Sequence, residues 1–153
     1  MNLKQYIRSE CFIPDLVEST REEALKRMVA AVAAKGIITK EPEMLARLLE
    51  RENIQSTAVG SGIAIPHCFT DEVKDLIIVV ARSVSGIAFD SFDGEPTRVV
   101  FLLIGNRQEH GLHLKALARI ARLIKSTQFI DKIIAASTVD DMVRAFDEEE
   151  AKI

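Results

Sequence analysis

The sequence predicts a single α/β domain over residues 1–153, a mixed, mostly parallel β-sheet with helices on both faces. Three observations carry this. Ile77 to Ala81 and Val99 to Ile104 are continuous β-branched and apolar runs, the pattern of strands covered on both sides. Helical periodicity lies before and after them, as in layered α/β folds. A chain of 153 residues is ordinary for one domain and buries roughly 68–70% of its unfolded surface without staples.

The elements follow in order. Ser19-Thr20-Arg21-Glu22-Glu23 reads as a helix start, with a hydroxyl cap and acids in the first turn. Leu25, Met28, Val29 and Val32 continue at helical spacing, and Gly36 is a natural stop. A second helix opens at Glu41-Pro42, since proline suits a first turn, and runs to about Arg51. Ala58-Val59 and Ile63 to Ile65 are short strands flanked by glycine, and Pro66, with no N–H to donate, ends the second of them. The two long apolar strands follow, with Ser85 to Thr97 between them as a loop or bent hairpin. The last third is helical. His110 to Lys125 sets Leu114, Leu117, Ala118, Ala121 and Ile124 against Lys115, Arg119 and Arg122. Thr127 is expected to cap a helix through Phe129 and Ile133, and Thr138-Val139-Asp140-Asp141 to start a final one. The acidic end, Asp147 to Glu150, reads as solvated.

Composition narrows the function classes. The chain is 48% apolar and 28% charged with a formal net charge of −3, which argues against nucleic acid as partner. Two cysteines, Cys11 and Cys68, make no disulfide framework and fit a reducing compartment. The N-terminal residues hold no apolar signal core, and the longest apolar runs are far short of a membrane span. A cytoplasmic protein without membrane insertion is the expectation.

Chemistry centres on Gly60-Ser61-Gly62-Ile63-Ala64-Ile65-Pro66-His67. The glycines allow positive φ, and His67 stands at the mouth of a strand where a ligand can come close. An imidazole there can be nucleophile, proton carrier or metal ligand. Only two other histidines exist. His113 falls on the apolar arc of its helix, which leaves two readings: a core histidine bonded to a carbonyl, or a second imidazole aimed at a site. His110, in a polar approach, reads as a solvated loop or helix-end residue. His67 and Cys68 are adjacent, so one backbone rarely aims both at one ion, and no Cys-x-x-Cys or His-Glu-x-x-His pattern is present. No metal and no cofactor is expected. Cys68 reads as a small buried thiol. Arg51, in a charge run, has no link to His67 by spacing alone.

Glu50-Arg51-Glu52 through Thr57 and on to Gly60-Ser61-Gly62-Ile63-Ala64-Ile65-Pro66-His67 resembles the signature of the fructose/mannitol/nitrogen-regulatory type of enzyme IIA, phosphocarriers of the bacterial phosphoenolpyruvate-dependent phosphotransferase system. The resemblance extends over nearly the whole chain, through Ile87-Ala88-Phe89-Asp90, the strand Val99 to Ile104 and His113-Leu114. It implies that His67 accepts a phosphoryl group through its ε2 nitrogen. It implies that Arg51 clamps the phosphoryl oxygens, that His113 donates to them, and that Gly60, Ser61 and Gly62 bring backbone N–H groups near. The implied donor is the phosphohistidine of HPr or a nitrogen-branch relative. With no sugar-channel segment in the sequence, the nitrogen-regulatory branch is favoured. The alternatives are a transport component passing phosphate to IIB, or an interaction module on the same fold that is not phosphorylated. Self-association as a weak homodimer is a family-level expectation. Ser61, where the family often has asparagine, and Cys68, where glycine is common, depart from the pattern. Cys68 is expected to narrow access or add redox sensitivity.

Overall fold

The computed structural model describes residues 1–126 and 128–153. Two strands organise it. Leu76–Ile87 (β5) and Thr97–Asn106 (β6) pair antiparallel. Leu76 to Ala81 and Val99 to Gly105 are all buried, so the sheet is covered on both faces. The remaining strands are Phe12–Leu16 (β1), Ala58–Gly60 (β2), Ile63–Ala64 (β3) and His67–Thr70 (β4). Their order is β1-β5-β6-β3-β2, with β4 also on β6. β1 runs parallel to β5, β3 and β4 parallel to β6, and β2 antiparallel to β3. Three of the five pairings are parallel, as the sequence predicts.

The helices are Arg21–Ala33 (α1), Glu41–Ile54 (α2), His110–Ser126 (α3), Phe129–Ala135 (α4) and Val139–Glu150 (α5). Their starts are locally encoded. Thr20 Oγ1 accepts from Glu23 N at 3.2 Å, and Thr138 Oγ1 accepts from Asp141 N at 3.1 Å. Gly36 takes a φ of 70° past the end of α1. α2 packs on α1 and β4, while α3 and α4 pack on β6 and α5 on β1. Thr127, read as the cap of α4, lies outside the described residues.

Three expectations change. The sequence reading places no element before Ser19. β1 nevertheless forms there as an edge strand, where a missing N–H costs little, and the Pro14 carbonyl accepts from Arg82 at 3.1 Å. Second, Pro66 does not end the ladder. β3 and β4 lie in tandem along the same edge of β6, and Pro66 still accepts from Leu103 N at 3.0 Å. His67 is therefore the first residue of a resumed strand. Third, the acidic end is not all solvated. Glu149 and Glu150 are buried in the last turn of α5. Glu150 accepts from Leu3 N at 2.9 Å and from Arg119 Nε at 2.9 Å, clasping the N-terminus and α3. Arg119 is thus turned inward rather than displayed.

Candidate functional site

β4 reads His67-Cys68-Phe69-Thr70, and alternation along a strand puts His67 and Phe69 on one face, Cys68 and Thr70 on the other. His67 and Phe69 are half-buried; Cys68 and Thr70 are buried. α3 supplies the facing residues. Its buried stripe is His113, Ala116, Ile120 and Leu123, one helical face at spacings of three and four. The first inward position of that stripe meets β4. The ring centroids of His67 and His113 lie 5.3 Å apart, edge to face. The Phe69 ring stands 4.6 Å from His113 and 4.4 Å from His110.

The two imidazoles differ in their bonding. His67 Nδ1 sits 3.1 Å from the carbonyl of Ile65. A carbonyl can only accept, so Nδ1 is the donor, and in the neutral ring the lone pair lies on Nε2. His113 is 4% exposed, and both its ring nitrogens are buried without a hydrogen-bond partner. Burial, with added repulsion from His67 and His110, pushes its pKa down to about 4. It is a neutral ring at pH 7, with one N–H unused. A buried polar group without a partner is uncommon in a fold.

Gly105 makes room for this arrangement. A Cβ there would stand 3.2 Å from His113 Nδ1 and 3.2 Å from Phe69 Cε1. α2 fixes β4 from the other side, with Arg47 Nη1 donating to the Phe69 carbonyl at 2.7 Å.

Arg51 lies in the last turn of α2. Its Nη1 donates to Gln55 O at 2.9 Å, and the rest of the guanidinium has no other protein partner among the described residues. No hydrogen bond joins it to His67 among those residues. The chain from Gln55 leads directly to the site: Thr57 O accepts from Ile65 N at 3.0 Å, and Ile65 O holds His67. Glu52 sets that path. Its side chain is buried, accepts from Thr57 N at 3.0 Å and from Thr57 Oγ1, and stands 3.7 Å from Arg21.

The structure does not place Gly60, Ser61 and Gly62, expected to bring backbone N–H groups near a phosphoryl group, beside the imidazoles. Ile63 pairs with Val99 and His67 with Leu103, four residues along β6 and roughly 13 Å at about 3.3 Å per residue. The turn lies beyond the far end of β3. Its φ values are 88°, 57° and 80°, so the glycines meet a backbone need. The Ser61 amide already donates to Asp93 Oδ2 at 3.0 Å. A carboxylate occupies the position an anionic ligand would need.

Cys68 is corrected as well. It points away from His67, and burial pushes its thiol up to about 11. It neither narrows the approach to the imidazole nor supplies a reactive thiolate. His110 is an exposed residue at the helix start, within the expectation, but its ring also lies tilted against Phe69. Phe69, Gly105 and Glu52 went unassigned in the sequence reading. A glycine closing an apolar strand, and an aromatic two residues after His67 on the same strand face, were the signals available.

Among the described residues, no helix is long and apolar enough to cross a membrane. No group of three His, Cys, Asp or Glu side chains is placed to hold a metal there.

Residues 5–149 match the family described as the phosphoenolpyruvate-dependent sugar phosphotransferase system, EIIA 2. The chain is 36% identical over 136 residues to a nitrogen regulatory protein of Bradyrhizobium diazoefficiens, spanning 89% of this chain and 88% of that protein. Its fold is that of nitrogen regulatory protein IIA-Ntr from Neisseria meningitidis, with a TM-score of 0.85 at 19% identity over 94% of this chain and 98% of that one. The IIA mannitol enzyme of Escherichia coli, solved in complex with phosphorylated enzyme IIB mannitol, superposes with a TM-score of 0.76 at 20% identity, over 93% and 99% of the two chains.

Proposed function

This chain belongs to the EIIA type 2 family of the phosphotransferase system, and from that premise we propose that it is a regulatory phosphocarrier whose acceptor is Nε2 of His67. The observation that carries the reading is the bond from His67 Nδ1 to the Ile65 carbonyl. It fixes the tautomer in which Nε2 is a nucleophile before any donor arrives. The lone pair of Nε2 attacks phosphorus as the N–P bond of a phosphohistidine donor, HPr or a nitrogen-branch relative, breaks and its electron pair returns to the donor ring. Such transfers depend on position and charge more than on further covalent steps.

His113 meets a different need. Its unused N–H can donate to a phosphoryl oxygen, and as a neutral ring it does so without repelling a protonated donor imidazole. Arg51 supplies the charge. With Nη1 anchored on Gln55, the remaining guanidinium donors can grip two oxygens at once, a geometry lysine lacks. The resemblance to a nitrogen regulatory protein favours a role in nitrogen or carbon regulation, in which phosphorylation decides which proteins are bound. Onward transfer to a IIB domain is the second reading, favoured by the fold shared with the mannitol IIA enzyme.

The test is incubation with enzyme I, HPr and phosphoenolpyruvate, read by intact mass, then repeated with the nitrogen-branch donor. The wild type is expected to gain one phosphoryl group and His67→Ala none. An unchanged gain in His67→Ala removes His67 as acceptor. No gain from either donor leaves the interaction module in its place. Rapid loss of the group to an added IIB domain favours transport over regulation.

A further inference from the structure

The sequence motif spans two places, and the phosphocarrier reading uses only the His67 end. We propose that the loop from Asp90 to Glu95, seated on the Gly60-Ser61-Gly62 turn, is a docking surface for a protein partner that offers an apolar socket rimmed by lysine or arginine. Phe92 is 85% exposed, more than any other large apolar side chain among the described residues. A lone exposed apolar residue needs no explanation. The loop that carries this one is tied down by a specific framework.

Asp93 is the hub. Its Oδ2 accepts from Ser61 N at 3.0 Å, and its Oδ1 from Ser91 Oγ at 2.6 Å and Glu95 N at 3.1 Å. These donors, Ser91 foremost, hold its carboxyl below the usual range, so it stays ionised. The base of the loop is fixed by buried Phe89, whose carbonyl accepts from Ser56 Oγ at 2.6 Å, and by Ala88 N donating to Ser19 O at 3.2 Å. Asp90 and Ser61 hold φ values of 60° and 57°, uncommon for residues with a side chain. The Phe92 ring leans on Gly60, where a Cβ would stand only 3.0 Å from its Cε1. Gly60 already holds a φ of 88°, and its bare face lies against that ring.

An aromatic presented by a tied loop offers large contact area while losing little freedom on binding. Charge selects the partner. Asp90, Asp93 and Glu95 are exposed around the ring. The nearby cation, Arg98, lays its stem along Gly62 and reaches toward Gly86. An acidic rim draws in a basic surface and rejects an acidic one. The surface lies at the other end of β3 from His67, so the inference stands apart from the phosphocarrier reading.

The test places the photo-crosslinker p-benzoylphenylalanine at position 92, and at exposed Lys26 as control, in the full chain within the organism that carries it. An adducted protein is identified, purified and titrated with purified wild-type and variant chains. Adduct formation at 92 and not at 26 is expected. Affinity is expected to fall roughly 30-fold with Phe92→Ser, as for an interface anchor, and to fall again with Asp90→Lys/Glu95→Lys. Phosphoryl acceptance stays at the wild-type rate in both. No adduct specific to position 92, or affinity indifferent to Phe92→Ser or raised by the charge reversal, overturns the proposal. Where Phe92→Ser lowers the melting temperature, Phe92→Leu and the charge reversal decide.

Discussion

At one end of β3, one imidazole donates from Nδ1 to a carbonyl, and a second has both nitrogens without partners among the described residues. At the other end, the Ser61 amide is taken by Asp93, whose carboxylate serves three donors. The two ends belong to one short motif. The difference teaches how to tell a reactive end from a structural one. A glycine-rich turn suggests anion binding, but here its amide is already satisfied from within. The histidines are the groups left wanting. Vacant hydrogen-bonding capacity, more than residue type, separates the two regions.

The comparison breaks most visibly at Arg51. Arg51→Lys keeps the charge and loses the two-pronged grip, so phosphoryl acceptance should slow about 100-fold, roughly 2.7 kcal/mol of transition-state stabilisation. The melting temperature should hold. A stopped reaction sampled by mass spectrometry measures the rate, and a wild-type rate removes the clamp.

Acid sharpens it next. The His113 pKa is about 4 in the folded protein against 6.5 for an unperturbed group. The unfolded chain then binds the proton more readily, so the contribution is fully present above pH 6.5 and is lost as pH falls toward 4. By about pH 5 the loss should reach roughly 2 kcal/mol. Urea unfolding of wild type and His113→Gln at pH 7.5 and 5 checks this. The variant should lose less stability than wild type over that range, and equal losses contradict a buried neutral imidazole.

A pair of glycine substitutions compares the two ends directly. Gly105→Ala drives a Cβ against His113 and Phe69, and should slow phosphoryl acceptance about tenfold by displacing the imidazole. Gly60→Ala meets Phe92 at a φ of 88°, and should cost about 1–2 kcal/mol of stability while leaving the rate within about twofold. Equal rate effects from the two would erase the distinction drawn between the ends of β3.

The smallest effect is expected at the cysteines. Burial pushes both thiols to about 11, so a disulfide reagent at pH 7.5 should label neither in the native chain and both after unfolding. Native labelling of Cys68 would restore the redox role that its burial denies it.

Much of the fold was legible in the sequence. Thr20 and Thr138 announce their helices because a cap is settled by residues three apart. The runs Ile77 to Ala81 and Val99 to Ile104 announce covered strands because polar side chains are absent from them. β1 was not legible, since the edge position that excuses Pro14 is a property of the finished sheet. The burial of Glu149 and Glu150 was hidden for a like reason: their partners Leu3 N and Arg119 lie far away in the chain.

By itself, the sequence determined an ordered motif ending in His67 and the family to which the chain belongs. It left His113 poised between core and site. Only the tertiary structure lays α3 across β4, so that two histidines distant in sequence stand 5.3 Å apart. It also decided which half of the motif is free. Backbone conformation and helix caps depend on near neighbours and can be read in a line. Whether an amide or an imidazole still has capacity to bond depends on what arrives from elsewhere in the chain, and at Ser61 the arrival is Asp93.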